Sequence, residues 1–121
     1  MKNDYHDKLK KIMDEYAHLV YKVSKIFPKE ELYGVTSQLR RASLSIILNY
    51  IEGYSRFKKK VIVNFLETAY GSLKESKYLL NFCLKEKFMA DKDYDRLLKL
   101  AEEIGAMLWT DIKKQSDKIS R

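Results

Sequence analysis

The chain has 121 residues, only four glycines and one proline, and 34% of it is charged, which argues against a turn-rich sheet and for long helices. That length suits one domain that buries roughly two-thirds of the surface its unfolded chain exposes. Twenty-four Lys and Arg against 17 acidic residues leave a net charge of +7, which favours polyanion partners, and the single cysteine, Cys83, excludes an internal disulfide.

The opening MKNDYHDKLKK has neither an apolar core nor a small-residue cleavage site, which predicts no secretory signal. Residues 1–6 are expected to fray. From about Asp7, Ile12, Tyr16, Leu19, Val20, Val23 and Phe27 recur every three or four positions, with Lys11, Glu15, His18, Lys22 and Lys25 opposite them. This predicts an amphipathic first helix over about 7–26. Pro28 stops it by disfavouring helical geometry at Phe27.

A second helix is expected over about 29–53, with Glu30 and Glu31 at the positive end of its dipole. Leu32, Val35, Leu39, Ala42, Ile46, Tyr50 and Gly53 form one apolar line; Leu44, Ile47 and Ile51 form a second beside it. Together they cover roughly half the circumference, where a helix in a monomeric bundle needs about a third. The first line predicts core, and the second predicts contact with another copy of the chain. A narrow polar line, Gln38, Arg41, Ser45, Asn49, Glu52 and Arg56, runs along the same helix. It reads as a structural ladder, Arg41 and Arg56 with Glu52 and Asn49 with Ser45. The longest apolar run, Leu44–Ile51, is eight residues including Ser45 and Asn49, short of the ~20 that a membrane span needs. A cytoplasmic protein is expected.

Gly53, Ser55 and the run RFKKK, Arg56 to Lys60, predict a short exposed connection. Ile62, Phe65, Leu66, Ala69, Leu73, Ser76, Leu80, Cys83 and Leu84 mark the inner line of a third helix over about 59–86. Cys83 on that line reads as a buried structural thiol. Gly71 lies mid-helix, where it costs roughly 0.5–1 kcal/mol relative to Ala, which predicts a close backbone approach. After a turn at Lys87–Ala90, Asp91 is the expected N-cap of a fourth helix over about 92–115. Leu97, Ala101, Ile104, Leu108 and Ile112 define its buried face, with fraying expected beyond Lys113. Four such helices with short connections predict an all-α fold, an antiparallel up-down-up-down four-helix bundle.

His6 and His18 do not match metal-ligand spacing, His18 lies on the polar face of the first helix, and there is no Gly-rich phosphate loop. No catalytic residue, metal or cofactor is therefore expected. Basic residues gather at Arg40 and Arg41, at Arg56, Lys58, Lys59 and Lys60, and at Lys113, Lys114, Lys118 and Arg121. In an up-down bundle the N-terminus, the second connection and the last residues share one end, so Lys8, Lys10, Lys11, the RFKKK run and the C-terminal lysines form one positive end. Tyr54 and Phe57 flank Arg56 there, the interleaving of aromatics and cations that single-stranded nucleic acids use. Arg40, Arg56, Lys58, Lys59, Lys60, Lys113, Lys114 and Lys118 are the candidate nucleic-acid contacts.

Several motifs also carry a family resemblance: Phe27-Pro28-x-x-Glu31, Ser37-Gln38-Leu39-Arg40-Arg41-Ala42, Ser45-Ile46, Asn49, Glu52-Gly53, Arg56, and Phe65-Leu66-Glu67-x-Ala69-x-Gly71-Ser72-Leu73-x-Glu75. From Phe27 to Glu75 strongly, and elsewhere by helix placement, the chain resembles the four-helix bundle family encoded in intervening sequences of bacterial large-subunit ribosomal RNA genes. That family is similar to the accessory variability determinant of diversity-generating retroelements, which works with a reverse transcriptase and its template RNA. The resemblance implies a homopentameric ring of bundles with RNA or DNA as partner. It also raises the alternative of a protein-binding scaffold or reverse transcriptase accessory subunit. One departure is visible: Ile47 stands where the family has Pro after Ser-Ile, and Tyr50-Ile51 replace smaller residues, so a straighter second helix is expected.

Overall fold

The computed structural model describes residues 4–120. Four helices carry the chain: α1 over Asp4–Ser24, α2 over Val35–Tyr54, α3 over Lys59–Lys85 and α4 over Asp91–Ser120, with a short 3-10 turn at Lys29–Glu31 and no strand among the described residues. α1 begins at Asp4, so residues 4–6 are helical where fraying was expected; residues 1–3 lie outside the described residues.

α1 buries Leu9, Ile12, Met13, Tyr16, Leu19, Val20 and Val23, the apolar stripe its periodicity laid out. It ends at Ser24, two residues before the expected stop, where Phe27 N–H turns back onto the Ser24 carbonyl at 3.1 Å. Phe27 is buried instead of helical, and its ring lies 5.8 Å from that of Phe88, tying the first connection to the third. α2 does not begin at Lys29. The 3-10 turn and Gly34, at φ −113° and ψ −117°, delay the start of the α-helix until Val35. Leu32, assigned to the core line, is consequently exposed.

Each helix packs on two others, α1 on α2 and α4, α3 on α2 and α4. Ser45 meets Ser72, and the Gly53 backbone approaches Phe65, so partners recede along α3 as α2 advances. Lys77 with Glu102, and Leu73 with Gly105, show the same sense for α3 and α4. Across the centre, the hydroxyls of Tyr16 and Ser76 are 2.9 Å apart, joining α1 to α3. The Tyr16 phenol is pushed up to about 12, by burial first, against a smaller lowering from Ser76. Leu39, Ile46, Leu66, Leu73, Leu80, Leu97, Ile104 and Leu108 fill the core around it. Each such side chain contributes roughly 1.5–3 kcal/mol by leaving water.

The glycines redistribute the expected close approach. Gly71 has no heavy atom within 4 Å of where a Cβ would be, so nothing there requires glycine. Gly53 is the crowded position, with the Phe65 Cβ 2.9 Å and the Ile62 carbonyl oxygen 3.3 Å from that point. α3 closes through Lys87 at φ 64°, with Phe88 N–H on the Cys83 carbonyl and Lys87 N–H on that of Leu84, each at 2.9 Å. Cys83 itself is buried, its thiol pushed up to about 11 mainly by burial. α4 starts at Asp91, making Ala90 its cap: the Asp93 and Tyr94 N–H groups bond the Ala90 carbonyl. It also continues to Ser120 where fraying was expected after Lys113. Its inward line runs Leu97, Ala101, Ile104, Leu108, Asp111 and Gln115, so Asp111 and not Ile112 holds the buried position.

Candidate nucleic-acid interface

Three chain segments meet at one end of the molecule: the start of α1, the end of α2 with the connection after it, and the last turns of α4. Their inner side is a polar clasp. Asp111, 3% exposed, accepts hydrogen bonds from the Tyr50 hydroxyl at 3.2 Å and from the Tyr54 hydroxyl at 2.8 Å. Gln115 Nε2 donates to the Tyr54 hydroxyl at 3.1 Å. His6 Nδ1 is hydrogen-bonded to the Tyr50 hydroxyl and lies 3.8 Å from the Asp111 carboxylate. Tyr5 adds a bond from its hydroxyl to the Met107 carbonyl.

Burial first, then Asp111, holds the phenols of Tyr50 and Tyr54 far above the usual tyrosine value, and that of Tyr5 is raised for the same reasons. These hydroxyls stay protonated and serve as hydrogen-bond donors. Sequence reasoning missed the clasp, although its signal was present: Asp111 and Gln115 continue the three-and-four spacing of the Leu97–Leu108 line, where a polar residue implies a buried partner.

The outer side of the same end is basic. Ser55 to Lys60 are all exposed, with Phe57 at 97%. Arg56 is paired with Glu52 at 2.5 Å, and its guanidinium lies 5.0 Å over the Phe65 ring. Lys58, Lys59 and Lys60 make no ion pair with a described residue. α3 opens there with no side-chain cap at Lys58 and no acidic residue in its first turn, so its positive dipole end adds to the lysines. Lys114 Nζ lies 5.7 Å over the Tyr5 ring and Lys113 Nζ 5.2 Å over that of Trp109, while Lys118 is exposed farther along α4. Lys10 lines a hollow of about 330 Å³ with His6, Tyr50, Ile51, Tyr54 and Ser55.

Arg40 does not join this group. Its Nε donates to Ser24 Oγ at 2.8 Å and its guanidinium lies 4.8 Å over Tyr21, so it is half-buried and pins α2 to the far end of α1. The polar line of α2 divides too. Asn49 Nδ2 donates to the Ser45 carbonyl and hydroxyl at 2.8 and 2.9 Å, and Ser45 Oγ reaches Ser72 Oγ at 2.8 Å. Glu52 holds Arg56, whereas Arg41 is exposed and makes no ion pair with a described residue. Of the second apolar line, Leu44 and Ile51 are exposed and Leu48 joins them at 59%. Ile47 instead packs half-buried on its own core. Leu44, Leu48, Arg40 and Arg41 line a hollow of about 610 Å³ with Tyr21, Leu32 and Tyr33.

No helix among the described residues is long and apolar enough to cross a membrane. Among the described residues no group of three or more His, Cys, Asp or Glu side chains is placed to hold a metal ion. His18, on the polar side of α1, lies 3.4 Å from Asp14.

The family model described as 23S rRNA-intervening sequence protein matches residues 7–110. No curated protein matches the chain. A solved structure similar to it is that of a protein of unknown function from the S23 ribosomal protein family of Bacteroides thetaiotaomicron. The two are 21% identical, with a TM-score of 0.83 over 90% of this chain and 98% of that one, a likeness that shows the fold.

Proposed function

The chain belongs to the 23S rRNA-intervening sequence protein family, and from that premise we propose that it is a non-enzymatic accessory protein that binds RNA or DNA through phosphate contacts. The observation that carries this reading is the convergence of Lys10, Lys58, Lys59, Lys60, Lys113 and Lys114 on one end, outside the clasp in which Asp111 and Gln115 hold the tyrosine hydroxyls. Lys118 extends the same basic surface along α4. The working unit in this reading is a homo-oligomer, a pentameric ring of antiparallel up-down-up-down bundles, which multiplies the positive field. Leu44, Leu48 and Ile51 supply the contact between copies, because they leave an apolar strip in water on a helix whose other face is already packed.

Titrating labelled RNA and DNA across a salt series tests the reading. Affinity should fall linearly on a log–log plot against salt, and replacing Lys58, Lys59 and Lys60 together by Glu should weaken binding by about a hundredfold or more and flatten that slope. Binding that is undetectable, or indifferent to salt, refutes it. The exposed strip of α2 favours a second reading, a scaffold whose partner is a protein such as a reverse transcriptase. Light scattering separates the roles of that strip: a strict monomer at micromolar concentration would assign it to a different protein.

A further inference from the structure

Among the described aromatic side chains at the basic end, Phe57 has no structural occupation. It is 97% exposed, in the connection between α2 and α3, and contributes nothing to the core. Its neighbours do have assignments. Arg56 is braced by Glu52 and by the Phe65 ring, which steadies the base of the connection, and Tyr54 is committed to Asp111. A hollow of about 320 Å³, lined by Ser55, Arg56, Phe57, Lys58 and Val61, opens beside the ring. It shares Ser55 with the hollow lined by Lys10 and His6, so the two adjoin.

A ring held in water between cations suits one kind of surface. A duplex offers phosphates to the lysines but keeps its bases stacked on each other, leaving an aromatic side chain only edges and sugars. An unpaired base offers a free π-face with a phosphate on either side of it. The charge around the ring is complementary to that strand, and a protein partner would have to bring a comparable acidic surface. Resting on the nucleic-acid reading above, we infer that Phe57 is a stacking platform for an unpaired base, with Lys58, Lys59 and Lys60 on the flanking phosphates, so the partner is single-stranded nucleic acid.

Fluorescence anisotropy with an unstructured 15-nucleotide RNA strand, and with the duplex it forms with its complement, distinguishes the inference from the reading beneath it. The intact protein should bind the single strand more tightly. Phe57→Ala should weaken single-strand binding on the order of tenfold while leaving duplex binding, the salt slope and the unfolding midpoint unchanged. In a Phe57→Trp, Trp109→Phe protein, where the only tryptophan is at the proposed platform, emission should be quenched by the single strand and not by the duplex. If Phe57→Ala affects both probes equally or neither, stacking is refuted while phosphate binding stands. A lower particle mass for Phe57→Ala would make the ring a contact between copies and overturn the inference. If the intact protein binds neither probe, the inference and the nucleic-acid reading fall together.

Discussion

Tyr54 and Phe57 are three residues apart, yet Tyr54 gives its hydroxyl to Asp111 and receives a bond from Gln115, while Phe57 stands almost wholly in water. The same end of the molecule thus has an inner side where Tyr50, Tyr54, Asp111 and Gln115 bond one another and an outer side where Phe57, Lys58, Lys59 and Lys60 make no ion pair or ring contact with a described residue. Chemistry on the inner side serves folding, because a buried donor without an acceptor costs more than the bond itself contributes. The same types of residue on the outer side are available to a ligand. The contrast locates function by what is left unpaired, and substitutions on the two sides should separate stability from binding.

The inner side should respond most strongly. Asp111→Ala removes the carboxylate that accepts from both the Tyr50 and Tyr54 hydroxyls in a site only 3% exposed, and stability should fall by about 3 kcal/mol. The measurement is chemical denaturation, followed by nucleic-acid titration at a temperature where the variant is folded. Affinity should match that of the unaltered protein, since the clasp faces inward. An unchanged denaturation midpoint would remove the clasp from the folding account; unchanged stability with lost binding would reverse the roles of the two sides.

Gly53 lies two residues before the exposed connection and sets how closely α2 and α3 meet there. Adding a methyl group at this position gains roughly 0.5–1 kcal/mol of helix propensity. It also places a carbon 2.9 Å from Phe65 Cβ and 3.3 Å from the Ile62 carbonyl oxygen, where backbone-attached atoms have little room to yield. The net effect of Gly53→Ala should be a loss of about 2 kcal/mol, read by denaturation. Since Phe65 also carries the Arg56 guanidinium, displacement of that ring should loosen the base of the connection. A more stable Gly53→Ala protein would mean that the helices separate freely at this point.

The sequence made some of these arrangements legible and hid others for physical reasons. A spacing of three and four residues reports which face of a helix is apolar, so Leu39, Ile46, Leu66, Leu80 and Leu97 could be placed in the core before any coordinates. It does not report which polar residues on different helices meet. Ser24 with Arg40, and Asp111 with Tyr50 and Tyr54, are pairings that only packing creates. The sequence points to Gly71 as the close approach and to Gly53 as the start of the connection, and only the neighbouring helix shows that the crowding is at Gly53. Lys58 to Lys60 were visible as a charged exposed run, because like charges at that density cannot be buried. Arg40 reads from the sequence as a candidate contact because its charge gives no sign of the Tyr21 ring beneath it.

The alkaline limb of the stability curve tests the inner side more finely. A tyrosine whose folded pKa is raised keeps its proton above the usual value near 10, while the unfolded chain releases it. The contribution is therefore fully present below about pH 10 and is lost as pH rises toward the folded value, because the unfolded state then binds fewer protons. Each such group adds a downward slope of up to about 1.4 kcal/mol per pH unit. For Tyr16, pushed up to about 12, that slope ends near pH 12. Tyr50 and Tyr54 are held higher by burial and Asp111, so theirs continue across the accessible range. Tyr50→Phe should leave the slope above pH 10 shallower by up to about 1.4 kcal/mol per pH unit, measured as denaturation midpoints at successive pH values. A slope identical to that of the unaltered protein would mean that the Tyr50 hydroxyl titrates as it does in water, and that the inner side of this end is open to solvent like the outer.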